Sequence, residues 1–132
     1  MTLREVLHAH IPTLNQESTL RDAIDKMDIY QFPALVIVDE NSKPTHVITE
    51  GDVGRAIQVR DSLTKIQSDF AKQYASANPT ISSPDQEIND ALHTMLQSGL
   101  TVLPVVEDER LIGVVMRMDL MQALLVDAAT IK

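Results

Sequence analysis

Apolar positions along the chain follow two periodicities. Leu20, Ala23, Ile24 and Met27 recur at three- and four-residue intervals, the spacing of one helix face. Ile88, Ala91, Leu92 and Met95 repeat that stripe. Ser83 there suits an N-cap, Pro84 the first helical position, Asp85 and Glu87 the positive helix end, and Gly99 the stop. Ser18 is the matching cap for the earlier helix. "ALVIV" (Ala34–Val38) and "VLPVVE" (Val102–Glu107) are instead nearly unbroken apolar runs, the mark of strands covered on both faces. Each is followed by a short polar turn and a second apolar run, His46–Thr49 and Gly113–Val115, so two hairpins are expected. Closing helices are expected at Asp52–Val59 and Asp119–Val126. "LREVLHAH" carries helical spacing at Leu3, Val6 and Leu7, and "IQSDFAKQYASANP" reads as a connector ending at Asn78-Pro79.

These elements occur twice. "IPTLNQESTLRDAIDKM" aligns with "NPTISSPDQEINDALHTM", and "LVIVDENSKPTHVITEGDVGRAI" aligns with "LPVVEDERLIGVVMRMDLMQAL". Pro12 and Pro79, like Asp52 and Asp119, stand 67 residues apart. A one-residue adjustment enters before the first helix and is undone in the hairpin turn. Each unit reads as βαββα, giving an α+β chain with units at 1–66 and 67–132. A unit of roughly 60 residues is marginal alone, so the two are expected to share one compact domain.

Charge narrows the partners. Eleven Lys and Arg against nineteen Asp and Glu leave a net charge of −8, which repels nucleic acid and anionic membrane. The absence of Cys removes disulfides, thiolate metal sites and cysteine nucleophiles. The opening "MTLREVLHAHIPTL" lacks the apolar core of a signal peptide, and no apolar run is long enough to span a bilayer. A soluble cytoplasmic protein is the expectation.

The candidate chemistry lies at "HVITEGDVGRAI", where a strand hands over to a helix. Thr49 and Asp52 stand three residues apart there, in capping-box spacing. The same junction gathers free N–H groups that suit an anion, so cap and ligand site are both open readings. Arg55 and Arg117 are the nearest cations in sequence. His8, His10, His46 and His93 show no ligand-spaced pairing, so no metal site is expected. No Ser-His-Asp pattern and no Gly-rich phosphate loop appears, so no enzyme is expected.

Pro-Thr before a capped helix, "LPVVED", "LIGVV" and the aliphatic-Thr-x-x-Asp handover at Ile48–Asp52, in this order and duplicated, resemble a tandem pair of cystathionine-β-synthase (CBS) domains, the Bateman module. The resemblance covers about residues 4 to 126. It implies two units packed sheet to sheet with pseudo-two-fold symmetry, leaving clefts between them that take AMP, ATP or S-adenosylmethionine. It assigns the ribose hydroxyls to the motif Asp, with the Thr assisting, and the base to residues before the first helix. Carried over by position, it nominates Thr13, Leu14, Thr49 and Asp52 in the first unit and Thr80, Ile81 and Asp119 in the second, with Arg55 and Arg117 as neighbouring cations. Two positions depart from the pattern. Met116 replaces the hydroxyl residue, and His46 stands where Gly113 stands in the second unit, placing an imidazole where the family has no Cβ. The resemblance therefore implies a regulatory small-molecule sensor for an adenosine-type ligand, or alternatively a ligand-free dimerisation module that regulates a partner protein. It needs no resident cofactor, and a homodimer is expected.

Overall fold

The computed structural model describes residues 1–59 and 63–130. The chain divides into two compact units, Pro12–Pro79 and a second made of Met1–Ile11 with Thr80–Lys132.

The Pro12–Pro79 unit runs β1 (Thr13–Leu14), α1 (Leu20–Tyr30), β2 (Ala34–Val38), β3 (Pro44–Thr49), α2 (Glu50–Val59), α3 (Leu63–Ile66) and β4 (Ser76–Ala77). Its sheet has the order β1-β2-β3-β4, with β1 parallel to β2 and the other pairs antiparallel. The expected helix stripe supplies Leu20, Ala23 and Met27 to a core completed by Leu14, Leu35, Ile37 and Ile48. The hairpin turn closes on Asp39, whose Oδ1 accepts from the N–H groups of Asn41 and Lys43 at 2.8 and 3.0 Å. Ser18 is not the cap of α1. Thr19 is: its hydroxyl accepts from Asp22 N at 3.1 Å, while Asp22 Oδ2 accepts from Thr19 N at 2.9 Å. Ser18, nearly buried, accepts from Asn15 N instead and shapes the turn after β1. The expected connector contains a strand, because Ser76 and Ala77 pair with Val47 and His46 on the outer edge of β3.

The second unit contains α4 (Ile88–Ser98), β5 (Val102–Glu107), β6 (Arg110–Met116) and α5 (Arg117–Thr130). Its β5–β6 hairpin repeats the first down to a register irregularity at the same place, between Val105 and Val106 as between Ile37 and Val38. Single residues fill the outer places of the sheet. Ser82 bridges parallel to Val105, as Leu14 does to Ile37, and His8 bridges antiparallel to Val114, as Ser76 does to Val47. Leu3, Ile88, Ala91, Met95, Leu103 and Val115 form its core. Gly99 ends α4 with φ +61°, as expected of a left-handed C-cap.

Two expectations fail here for one reason. "LREVLHAH" gives only a 3₁₀ turn at Leu3–Glu5, and α4 starts at Ile88 rather than just after Ser83. The N-terminal segment takes the backbone groups that an earlier helix start would use: Leu3 N donates to Gln86 O at 3.0 Å, Arg4 N to Pro84 O at 2.8 Å, and Ile88 N to Met1 O at 3.2 Å. Arg4 adds an ion pair to Glu107, Nη2–Oε2 2.5 Å, and a longer one to Asp85. The sequence repeat divides the chain near residue 66, but Met1–Ile11 packs with the second repeat. In each repeat the edge beside the second hairpin strand is thus covered by the segment that precedes a Pro-Thr pair, whichever repeat that segment adjoins in sequence.

Candidate functional site

β3 ends at Thr49 and α2 begins at Glu50, so the Thr49 and Asp52 side chains flank the first helical turn. Thr49 N donates to Asp52 Oδ2 at 2.9 Å, and Asp52 N donates to the Thr49 hydroxyl at 3.1 Å, a complete capping box. Arg55 Nη2 reaches Asp52 Oδ1 at 2.7 Å, and its guanidinium lies over Gly51, 3.2 Å from where a Cβ would stand. The Arg55 side chain is 73% exposed, against 13% for Asp52. A carboxylate oxygen has two acceptor positions. Among the described residues each oxygen of Asp52 therefore has one donor and one further acceptor position.

The second repeat builds the same junction with different atoms. β6 ends at Met116, whose N–H donates to Asp119 Oδ2 at 2.9 Å, while no hydroxyl stands at Met116 to return the bond. The box is half made. A second donor fills the same oxygen: His8 Nε2 lies 2.9 Å from Asp119 Oδ2. Arg117 is exposed on the first turn of α5.

The residues nominated beside the base are placed unequally. Thr13 lies on β1 with β2 between it and β3, and its carbonyl accepts from Lys26 Nζ at 2.8 Å. Leu14 is 1% exposed, so its side chain belongs to the core and only its backbone remains for a ligand. Thr80 and Ile81 are exposed, whereas Ser82, 7% exposed, holds the register place of Leu14. Alignment on Pro-Thr matches Leu14 to Ile81 instead, because the one-residue adjustment falls between Thr80 and Ser82.

The contrast between His46 and Gly113 has an origin inside the protein. A Cβ on Gly113 would stand 2.5 Å from the His8 carbonyl oxygen and 2.6 Å from Leu7 Cδ1, so the close approach belongs to the N-terminal segment that bridges β6 at His8. At His46 the facing residue is Ala77, and the ring is half-buried with Nδ1 2.9 Å from the Thr45 hydroxyl. Desolvation, aided by the Lys72 charge, lowers its pKa below the usual 6.5. Among the described residues no group of three or more His, Asp or Glu is placed to hold a metal ion. Nor is any described helix long and apolar enough to cross a membrane.

Comparison with known proteins agrees with this duplicated architecture. The sequence matches the family described as CBS domain over residues 3–59 and again over 71–126. Protein MJ1225 of Methanocaldococcus jannaschii is 27% identical over 123 residues, 92% of this chain and 42% of that protein. Inosine-5'-monophosphate dehydrogenase of the same organism is 31% identical over 119 residues, 89% of this chain. This chain spans only 22% of the dehydrogenase's length, so the relation concerns one part of that enzyme. The crystal structure of CBSX2 in complex with AMP superposes with a TM-score of 0.83 at 18% identity, covering 96% of this chain and 98% of that one.

Proposed function

The chain belongs to the CBS-domain family, and on that premise we propose that it is a regulatory module that senses an adenosine-type ligand. The observation that carries this reading is the Asp52 carboxylate, held at the start of α2 with a further acceptor position on each oxygen. A vicinal diol presents two O–H donors at matching spacing, and bonds to a carboxylate are charge-assisted. Thr49 supplies a hydroxyl beside it, and Arg55 supplies a cation that can leave Asp52 for a phosphate at little cost, being largely exposed. A structure solved with AMP in a protein of this fold supports the same ligand class. With net charge −8 and Arg55 as the arginine described at Asp52, a ligand carrying little phosphate charge fits better than a triphosphate.

The module acts by linkage, since a ligand shifts only those conformations to which it binds unequally. Its role is regulatory rather than catalytic. In Asp52→Asn an amide oxygen still accepts the Thr49 N–H, but the charge is gone. Calorimetric titration with adenosine, AMP, ATP and S-adenosylmethionine should show the bound compound weakened about tenfold, or about 1.4 kcal/mol. Binding that survives both Asp52→Asn and Asp119→Asn within threefold returns both carboxylates to the role of helix caps.

One observation favours the second reading, a ligand-free interaction module: each Asp already bonds its own helix start. A homodimer fits either reading. A groove of about 470 Å³ between α1 and α2 is lined by Ile24, Met27, Phe32, Val53 and Ile57, together with the polar Asp28, Gln31 and Glu50. A second copy is the proposed occupant, because the same chain exposes Leu96, Met118 and Leu125, apolar side chains able to fill it.

A further inference from the structure

We propose that His8 is a built-in competitor for the nucleoside at Asp119, so that the two repeats differ in affinity because one carries its own occupant. The inference rests on the ribose-clamp reading above. Asp119 Oδ2 receives two donors, Met116 N–H at 2.9 Å and His8 Nε2 at 2.9 Å, which fill its two acceptor positions. A ribose diol arriving there finds only Oδ1. It must give up one hydrogen bond or turn the imidazole away.

The competitor is held in place by its backbone. His8 N donates to Val114 O at 2.9 Å and Val114 N to His8 O at 3.1 Å, while Leu3 is fully buried and Arg4 is clamped by Glu107. Gly113 lets this strand approach closer than any side chain would allow. The imidazole alone is therefore the moving part, and it can swing away without unpairing the strand. The His8 side chain is 42% exposed, so water is available to receive it. In the first repeat the place of His8 opposite β3 is taken by Ser76, whose hydroxymethyl group is much shorter than an imidazole. Among the described residues Arg55 is the side-chain donor to Asp52, and that group lies on its own helix. Absence of a hydroxyl at Met116 and presence of His8 at Asp119 act in the same direction, favouring Asp52 as the open site.

The test reads AMP binding in the 132-residue chain carrying Asp52→Ala, which leaves Asp119 as the clamp being measured. His8→Ala and His8→Val remove the donor, and Val also suits a strand position. His8→Gln keeps an N–H that can reach the carboxylate. Adding Ala or Val to Asp52→Ala should tighten AMP about fivefold, equivalent to about 1 kcal/mol. Gln should leave the affinity near that of Asp52→Ala, and a further Asp119→Ala should erase the gain. Amide exchange protection at Val114 reports that the strand remains paired. If neither His8→Ala nor His8→Val tightens AMP by as much as twofold while the wild type binds it, the competitor assignment is overturned and the nucleoside reading stands. If no chain binds adenosine, AMP, ATP or S-adenosylmethionine, both fall together.

Discussion

Substituting Gly113 by Ala tests whether the N-terminal strand, rather than a ligand, dictates this glycine. The added Cβ would sit 2.5 Å from His8 O and 2.6 Å from Leu7 Cδ1, and the former is backbone that cannot rotate aside. The strand must retreat by more than half an ångström to reach ordinary contact. That displacement strains the reciprocal His8–Val114 bonds, now 2.9 and 3.1 Å. Overpacking of a close contact costs about 1–3 kcal/mol, and each weakened backbone bond adds about 0.5–1.5 kcal/mol. Replacing Gly returns about 0.4–1 kcal/mol through the unfolded chain. The net expectation is a loss of about 3 kcal/mol, which at an m-value of about 2 kcal/mol/M moves the urea midpoint down by about 1.5 M. Gly54→Ala is the control, because its Cβ would meet nothing within 4 Å and it lies inside α2. There the helix should gain stability, by up to about 1 kcal/mol. Amide exchange at Val114 should accelerate in Gly113→Ala and remain unchanged in Gly54→Ala. If Gly113→Ala keeps both its urea midpoint and its Val114 protection, the close approach does not constrain the strand and the argument fails.

Two further outcomes are expected besides the binding experiments on Asp52 and His8. Because His46 has a folded pKa below its unfolded value of 6.5, through desolvation first and the Lys72 charge second, the unfolded state binds the proton more readily. The stabilising effect is complete above about pH 6.5 and is lost as pH falls through the folded pKa, so urea midpoints measured from pH 7.5 down to 5.5 should fall further for wild type than for His46→Gln; parallel curves would refute the shift. Light scattering at high micromolar concentration should give twice the 14.6 kDa chain mass, and a value of 14.6 kDa would remove the second-copy assignment for the α1–α2 groove.

The repeat and its elements were legible because they rest on short-range periodicity. Leu20, Ala23 and Met27, or Ile88, Ala91 and Met95, are set by helical spacing, and the observed cores contain all six. The hairpins were legible because unbroken apolar runs admit few other structures, and Gly99 was readable as a stop because glycine takes the positive φ of that cap without strain, whereas Gln31, which ends α1 in the same conformation, carries no such mark. Caps were less secure. Ser18 and Thr19 are adjacent and chemically alike, and the choice depends on which backbone N–H the turn leaves over.

At the candidate site, residue order alone places Thr49 and Asp52 at one helix start and shows Met116 breaking the second copy of that pair. Spacing of three residues fixes such contacts within one turn. What else the Asp119 carboxylate touches depends on contacts distant in sequence. His8 and Asp119 are 111 residues apart and meet because the N-terminal strand pairs with β6, not because of any local pattern. The same pairing explains Gly113, while the start of α4 at Ile88 follows from the bonds of Met1, Leu3 and Arg4 to residues 84–88, and Ser82 takes the register place of Leu14 through its own bridge to Val105. Strand pairing is made by backbone groups that every residue carries, so the sequence marks where a strand can form and leaves its partner to the fold.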